Sequence, residues 1–264
     1  MIRCVFMDDV IIVPPVPGIQ GVKDTVALKV EQILHRGTRY FGSAGASLTH
    51  HVNNPDYDSE FKKAAVRTGM DGERSTSSIV RKWMEDKPNA VLLDSVHVRG
   101  VGKETIDQET GIIEGGDTDH VLVIGNEVIL IDTKRWKSRR KYSINDKGVV
   151  LRGGKSFGGG RVHAKQAKFL WKSYLHPSAK VSSIVCINSE KVFVQYDNNW
   201  KKQQFRLVAV DKLIETLDSR YNKISDEDKT RINTSLIAQI VVCCIKPYDS
   251  YERIFNKDSL KDFK

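Results

Sequence analysis

The sequence predicts an α/β protein whose central mixed sheet is flanked by helices on both faces. Three observations support this prediction. Helical patterns lie at both ends of the 264-residue chain, strand patterns fill most of residues 90–152, and a helical pattern followed by further strands comes next. Helices and strands in this order form a sheet with helical layers. We expect a core at residues 61–212, an N-terminal extension at 1–60 and a C-terminal helical extension at 213–264.

Apolar residues at helical spacing predict six helices. The first ends at Gly37. A break at Gly69–Gly72 separates the second from the third, because glycine in a helix interior costs about 1 kcal/mol relative to alanine. The predicted helices are residues 22–36, 59–69, 73–86, 161–175, 211–221 and 226–245.

Short apolar runs rich in Val and Ile predict strands between and after these helices. The stretch 117–136 (DTDHVLVIGNEVILIDTKRW) contains two such runs separated by Gly125–Asn126. This dipeptide predicts a hairpin with a two-residue type I′ turn. The other predicted strands are residues 90–98, 142–152, 180–187, 191–197 and 205–210.

The chain is moderately basic, with 42 Lys and Arg against 33 Asp and Glu and a formal net charge of +9. This charge is compatible with nucleic-acid binding, and also with a basic protein that has no such ligand. The four cysteines show no CxxC pair or zinc-ligand spacing, which favours a reducing cytoplasm. No signal peptide or run of about 20 apolar residues is evident, so we expect no membrane association.

The hairpin turn determines which charged residues face each other where the two strands end. Counting back from a two-residue turn places Asp119 opposite Asp132, and Asp117 opposite Lys134. Opposed side chains share a face, with Cβ atoms about 4.5–5.5 Å apart. The three acids and the lysine should therefore converge. A longer loop or a bulge would shift the register and separate the two acids.

Two opposed carboxylates repel each other, so Asp119 and Asp132 need something to offset that cost. Mg²⁺ (or Mn²⁺) would offset it, because Mg²⁺ binds carboxylate oxygens and retains several waters. Such a metal with Lys134 beside it would suit a phosphodiester. The alternative is an exposed hairpin end that carries an ordinary cross-strand ion pair.

Four segments, in order, resemble the NERD (nuclease-related) domain of the PD-(D/E)XK nuclease-like superfamily. They are Gly72–Glu73 opening a helix, Thr118-Asp119-His120 on a strand, Asp132-Thr133-Lys134 on the next strand, and Gln166 on a later helix. The usual pattern has Ile where Thr118 stands and Glu where Asp132 stands. It also often has Asn-Pro where this chain has Arg161–Val162. The resemblance covers about residues 65–190.

The resemblance implies a restriction-endonuclease-like core and Mg²⁺-dependent cleavage of phosphodiester bonds. By the same resemblance, Asp119, Asp132 and Glu73 would bind the metal. Lys134 would position the attacking water and stabilise the transition state, and Gln166 would support the site or contact the substrate backbone. Glu73 has a second explanation, because an acid in the first turn of a helix is favoured by the helix dipole.

The predicted helix at 161–175 carries a basic stripe that could contact phosphates. Arg161, Lys165 and Lys168 lie along one side, and His163 lies on a neighbouring stripe. A solvated charged face is the alternative for the distal part of this stripe. Arg135, directly after Lys134, could also contact nucleic acid.

These observations favour a cytoplasmic Mg²⁺-dependent deoxyribonuclease whose partner is DNA, although the sequence does not decide between DNA and RNA. The alternative is a catalytically silent module of the same fold that binds DNA or a protein. A nucleotide phosphohydrolase is a third option. Residues 153–160 do not form a P-loop, because Val149 stands where the first glycine is needed. The two extensions could determine the substrate, a partner or a homo-oligomer.

Overall fold

The computed structural model describes residues 22–46, 48–49, 60–98, 105–106, 113–114, 116–157, 171, 175–195 and 205–243. The fold is α/β: a mixed sheet of six strands has helices packed on both faces, as the sequence predicts. The helices are α1 (Val22–His35), α2 (Glu60–Trp83), α3 (Leu213–Tyr221), α4 (Asp226–Lys229) and α5 (Thr234–Cys243). No helix in the described part of the chain is long and apolar enough to cross a membrane.

The strands are β1 (Tyr40–Phe41), β2 (Ala90–Val98), β3 (Thr105–Ile106), β4 (Ile113–Glu114), β5 (Gly116–Ile124), β6 (Glu127–Lys134), β7 (Lys141–Ile144), β8 (Val150–Arg152), β9 (Lys180–Ile187), β10 (Phe193–Val194) and β11 (Arg206–Ala209). The large sheet has the order β1-β2-β5-β6-β9-β11. Its middle, β2-β5-β6, is an antiparallel meander, and β9 runs parallel to both β6 and β11. A second sheet has the order β10-β7-β8.

Apolar side chains fill both faces of the large sheet, because successive residues of a strand point to opposite sides. On the first face, Val121 and Leu130 pack with Trp171, α1 and α5. On the second face, Leu122 and Ile129 pack with α2 and α3. Burial on both sides explains why these strands are nearly continuous apolar runs in the sequence.

The β5–β6 hairpin has the predicted two-residue turn, and its ladder runs from Ile124–Glu127 to His120–Ile131. Positive φ is found at Gly125 (53°) and not at Asn126. A positive φ at the first central residue alone is typical of a type II′ turn, so the predicted type I′ turn is wrong. The register is unaffected, because both turns have two residues.

Residues 60–83 form one continuous helix, so the predicted break at Gly69–Gly72 is wrong. The glycines instead permit close approach of other parts of the chain. A Cβ on Gly72 would lie 2.3 Å from Cγ of Arg135, and one on Gly69 would lie 3.1 Å from Cδ1 of Leu48. Packing against the rest of the protein outweighs the low helix propensity of glycine here.

The C-terminal segment contains two helices where the sequence predicts one at 226–245. Ser225 caps α4, and its Oγ accepts the N–H of Asp228 at 3.2 Å. The α5 helix begins separately at Thr234 and packs against α1 on the first face of the large sheet. Both regions predicted as extensions therefore contribute to the hydrophobic core of the sheet.

The small sheet β10-β7-β8 lies over β9 and β11 on the first face of the large sheet. Tyr142 and Val150 pack against Val185 and Ile187, which share a face with Val181 of the first-face core. The Trp136 ring stacks on Tyr142, with ring centroids 5.3 Å apart. The segment that follows β6 is thus folded back onto the large sheet.

Candidate active site

The end of β6 carries the charged residues that the sequence singles out. Asp132 and Lys134 alternate with the buried Leu130, so their side chains lie on the first face of the sheet. Lys134 Nζ donates a hydrogen bond to Oδ1 of Asp132. The Asp132 side chain is 20% exposed and that of Lys134 is 33% exposed, so solvent reaches both.

Asp119 approaches this pair from β5. The β5–β6 ladder ends at His120–Ile131, one residue before the predicted Asp119–Asp132 pair. Instead of continuing the ladder, the Asp119 carboxylate accepts the backbone N–H of Thr133 through Oδ2, at 2.6 Å. Asp117 pairs with His97 of β2, and the ladder contains no Asp117–Lys134 pair.

The two carboxylates interact electrostatically. Burial raises the pKa of Asp119, and the negative charge of Asp132 raises it further, to about 7, against the opposing effects of Lys134 and His120. Burial alone would lower the pKa of Lys134. The carboxylates of Asp132 and Asp119 outweigh that effect and raise it, so the lysine stays protonated. The site therefore holds the protonated ammonium group of Lys134 beside two carboxyl groups, and that of Asp119 resists ionisation.

Glu73 reaches the same charge cluster from α2. Its side chain is buried, and Oε2 accepts the backbone N–H of Gly45 at 3.0 Å. Its charge contributes to the raised pKa of Lys134. Glu73 lies in the middle of the 60–83 helix rather than opening it. The helix dipole, which acts within the first turn, does not explain an acid at this position.

The two aspartates meet the chemical requirements of a hard divalent cation. The hydrogen bonds from Thr133 and Lys134 engage Oδ2 of Asp119 and Oδ1 of Asp132, which leaves one oxygen of each for another ligand. Across the described residues, no group of three or more His, Cys, Asp or Glu side chains is arranged to hold a metal, so Glu73 is not gathered with them as a third direct ligand. Mg²⁺ needs only one or two carboxylates when waters complete its coordination.

A buried polar network on the second face holds β6 from behind, and the sequence analysis missed it. Asp94 is fully buried, and its Oδ2 accepts hydrogen bonds from Ser77 Oγ at 2.8 Å and from the Arg81 guanidinium at 2.7 Å. His120 Nδ1 lies 2.7 Å from Asp94 Oδ1, and its Nε2 lies 3.2 Å from Thr133 Oγ1. Thr133 is the residue between Asp132 and Lys134, so this network fixes the strand that carries them.

The pKa of Asp94 reports how this network is balanced. Burial would raise it, but the hydrogen bond and charge of His120 and the hydrogen bonds from Ser77 and Arg81 outweigh burial and lower it. The signal available in the sequence was the acid itself, in the apolar run AVLLDSVHV. A charge buried in such a strand needs a partner.

Asn188, the residue after β9, joins α2 to the end of β6. Its side-chain Nδ2 donates to the carbonyl of Gly72 at 3.0 Å and to Thr76 Oγ1 at 2.9 Å. Its backbone N–H donates to the carbonyl of Lys134 at 2.9 Å. One polar residue thus sets the distance between the helix that carries Glu73 and the strand that carries Asp132 and Lys134.

The other predicted site residues divide into two groups. Arg135 is exposed, and its side-chain stem packs against Gly72 of α2. The residues of the predicted helix at 161–175 lie outside the described residues, apart from the buried Trp171 and Leu175. Those that remain predictions for this reason are Arg161, His163, Lys165, Gln166 and Lys168.

Comparison of the chain with protein-family models, curated proteins and solved structures gave no match. The function of the protein is therefore inferred from the residues of the site and their geometry.

Proposed function

We propose that this protein is a Mg²⁺-dependent nuclease that hydrolyses phosphodiester bonds of DNA. The observation that carries the proposal is the pair Asp119 and Asp132 at one strand end. Their mutual repulsion contributes to the raised pKa of Asp119, which is about 7. A divalent cation would relieve the repulsion between these two carboxylates, and the protonated lysine beside them would attract a phosphate.

Asp119 and Asp132 would hold the metal through the oxygens that no hydrogen bond from Thr133 or Lys134 engages. Mg²⁺ (or Mn²⁺) at such a site makes a water more nucleophilic and offsets charge on the transferred phosphorus. The Thr133 N–H holds the Asp119 carboxylate in place during this chemistry. The buried network of Asp94 and His120 keeps Thr133 in position.

Lys134 has the charge and exposure needed to act on the substrate. Its ammonium group stays protonated because the neighbouring carboxylates raise its pKa. Exchanging the hydrogen bond with Asp132 for a phosphate oxygen or for the attacking water would place positive charge where negative charge develops. The buried Glu73 adds negative charge near this lysine and could bind a metal-coordinated water.

The resemblance to the NERD domain supports the proposal through Thr118-Asp119-His120 and Asp132-Thr133-Lys134, which lie on the neighbouring strands β5 and β6. A helix followed by an antiparallel meander and a parallel strand is compatible with its restriction-endonuclease-like core. Gln166 and the basic stripe at 161–168 would complete the site. We place the activity in a reducing cytoplasm, where the buried free thiol of Cys186 would persist.

A catalytically silent module that binds DNA or a protein is the second candidate. Two observations favour it. Lys134 is already paired with Asp132, and within the described ranges no third acid completes a metal-binding group. In such a module the same charges would stabilise the fold or bind a partner without cleavage.

A nuclease assay separates these candidates. Purified protein is incubated with plasmid, linear duplex DNA, single-stranded DNA and RNA, in Mg²⁺, Mn²⁺ or EDTA. We expect metal-dependent cleavage of DNA, and a loss of about 100-fold or more in Asp132→Asn and in Lys134→Met. Exposed residues remote from the site supply the matched controls, Asp226→Asn and Lys223→Met, which should cleave normally.

Two outcomes would reject this proposal. Cleavage that persists in both Asp132→Asn and Lys134→Met would show that the site is wrongly assigned. Mg²⁺ binding by calorimetry with no cleavage of any substrate would favour the silent module.

A further inference from the structure

The segments that follow β6 and β9 concentrate most of the net positive charge of the protein. Residues 135–157 and 188–195, here called the basic lobe, contain nine Lys and Arg against two acids, Asp146 and Glu190, a net formal charge of +7. The whole chain has a net charge of +9. A charge so concentrated produces a local field that attracts polyanions.

Carboxylates in the described part of the chain do not neutralise the exposed positive charges of the basic lobe. Eight of the nine basic residues are exposed, and none of these eight forms an ion pair with a carboxylate in the described part of the chain. Exposed lysines elsewhere do find partners: Lys180 lies 3.4 Å from Glu127, and Lys212 lies 2.9 Å from Glu215. The lobe therefore presents its cations to solvent.

The basic lobe lies beside the candidate active site. Its small sheet packs on Val185 and Ile187 of β9. In the parallel β6–β9 ladder, these two residues are the register partners of Asp132 and Lys134. The lobe and the two charged side chains therefore share the first face of the large sheet. A polyanion bound along the lobe would be directed toward the aspartates.

Two basic residues of the lobe are held in a backbone conformation that long side chains rarely adopt. Arg139 has φ +53° and Lys191 has φ +51°. The Arg139 N–H donates to the carbonyl of Glu190 at 3.1 Å, so the two strained turns lie together. Such positions carry strain of about 1–2 kcal/mol each, which is often retained at functional surfaces.

The lobe also exposes an aromatic ring. Phe193, on the edge strand β10, is 68% exposed, and its register partner is the exposed Lys141 of β7. Register partners on neighbouring strands share a face, so the two side chains project from the same face of the small sheet. An aromatic ring beside a cation suits an unpaired base and its phosphate. A duplex keeps the faces of its bases stacked inside.

We propose that the basic lobe binds single-stranded nucleic acid, with its lysines and arginines on the phosphates and Phe193 stacked on a base. The inference rests on the proposed function only in naming the bound strand as the one presented to Asp119 and Asp132. Binding itself does not require cleavage. The strand at the site would then be an unpaired end, a flap or a single strand rather than an intact duplex.

The test is binding of a short, labelled single-stranded DNA to the full chain, measured by fluorescence anisotropy in EDTA across a series of salt concentrations. Arg139→Glu/Arg140→Glu should weaken binding about tenfold or more at low salt. It should also flatten the dependence of log K on log salt by about 0.7 for each phosphate that the variant no longer neutralises. The matched control is Lys82→Glu/Lys223→Glu, which reverses two exposed charges outside the lobe and should bind like the parent.

Phe193→Ala separates stacking from electrostatics. We expect a decrease of about 5- to 100-fold in affinity for single strands, the range for one stacked base, with an unchanged salt dependence and little effect on duplex DNA. Thermal unfolding of each variant verifies that it is folded.

Each outcome decides the proposal. Parent-like binding by Arg139→Glu/Arg140→Glu, or equal weakening by the control pair, would overturn it, and so would parent-like binding by Phe193→Ala. Specific binding without cleavage in Mg²⁺ would support the lobe and count against the nuclease. Metal-dependent cleavage, together with binding that the lobe variants do not change, would support the nuclease and count against the lobe.

Discussion

At the scale of single residues, the feature that matters most is the buried carboxyl of Asp119. It accepts the Thr133 N–H, which holds it in place, while burial and the negative charge of Asp132 oppose its ionisation. Its pKa is raised from 3.8 to about 7, mainly by burial and then by the charge of Asp132. The folded protein therefore keeps a proton on Asp119 at pH values where the unfolded chain has released it.

This raised pKa predicts the direction of a pH effect on stability. Below about pH 4, Asp119 is protonated in both states and its contribution to stability is complete. As the pH rises to about 7, the folded state retains the proton that the unfolded state has released, so the free energy of unfolding falls. The slope is about 1.4 kcal/mol per pH unit within this window, and it ends once the folded state also ionises.

Asp119→Asn should abolish this slope, because the amide is uncharged and its oxygen can still accept the Thr133 N–H. Between about pH 5 and about pH 8 in EDTA, we expect the stability of the parent to fall by about 2–3 kcal/mol more than that of the variant. Urea denaturation at each pH measures the free energy of unfolding of the parent and of the variant. Mg²⁺ should raise the stability of the parent above pH 7 and leave Asp119→Asn unchanged. Parallel pH profiles for the two proteins would contradict the assignment.

Register counting could find Asp119 and Asp132 in the sequence, because the two-residue turn fixes which residues approach each other. Register counting could not find the hydrogen bond from the Thr133 N–H to the Asp119 side chain, which stands where the ladder ends, at His120–Ile131. Counting predicts only bonds between backbone groups. The partners of Asp94 were equally inaccessible. Ser77 and Arg81 lie on α2, and no local sequence pattern indicates that this helix packs against β2.

At the scale of elements, α2 shows how packing outweighs local propensity. The helix runs unbroken through Gly69 and Gly72, which a count of propensities treats as a break. Gly72 lies where the helix passes over Arg135, and Asn188 donates to its carbonyl. Glycine at this position lets the helix pack close to the end of β6. The sequence does not show this, because it does not show which strand packs against the helix.

Gly72→Ala should therefore destabilise the protein by about 1–3 kcal/mol, because the new Cβ would lie 2.3 Å from Cγ of Arg135. The conflict is with a side chain, so removing that side chain should relieve it. In an Arg135→Ala background, Gly72→Ala should become neutral or stabilising by up to about 1 kcal/mol, since alanine favours the helix. A double-mutant cycle by chemical denaturation measures whether the effect of Gly72→Ala on the free energy of unfolding changes sign between the two backgrounds. Equal costs in both backgrounds would contradict this explanation.

At the scale of the whole molecule, the C-terminal segment closes onto the turn of the central hairpin. Asp228 of α4 accepts the Asn126 N–H through Oδ1 at 3.2 Å, and Asn233 Nδ2 donates to Asn126 Oδ1 at 2.8 Å. The Lys180 N–H donates to the Asn126 carbonyl at 2.8 Å. The sequence predicts a single helix in this region, and it does not show that the segment meets a turn about 100 residues earlier.

Gly125→Ala should cost more than about 2 kcal/mol. The residue has φ +53°, and an added Cβ would lie 2.4 Å from Cβ and 2.6 Å from both Cα and the carbonyl oxygen of Asp228. Because backbone atoms obstruct the space, Asp228→Ala should not rescue the variant. This contrasts with the rescue expected at Gly72. Thermal or urea unfolding of the single and double variants measures the difference, and a full rescue would contradict the close approach of α4 to the turn.

The contact between the hairpin turn and α4 also has a consequence for how the protein matures during translation. Asn126 and Asp228 are 102 positions apart, so the hairpin leaves the ribosome well before the residues that hold its turn. A one-residue slip between β5 and β6 would send Asp132 to the opposite side of the sheet. We therefore expect nascent chains that end before Asp226 to form the hairpin without fixing its alignment, and to acquire the proposed activity only after α4 has been synthesised.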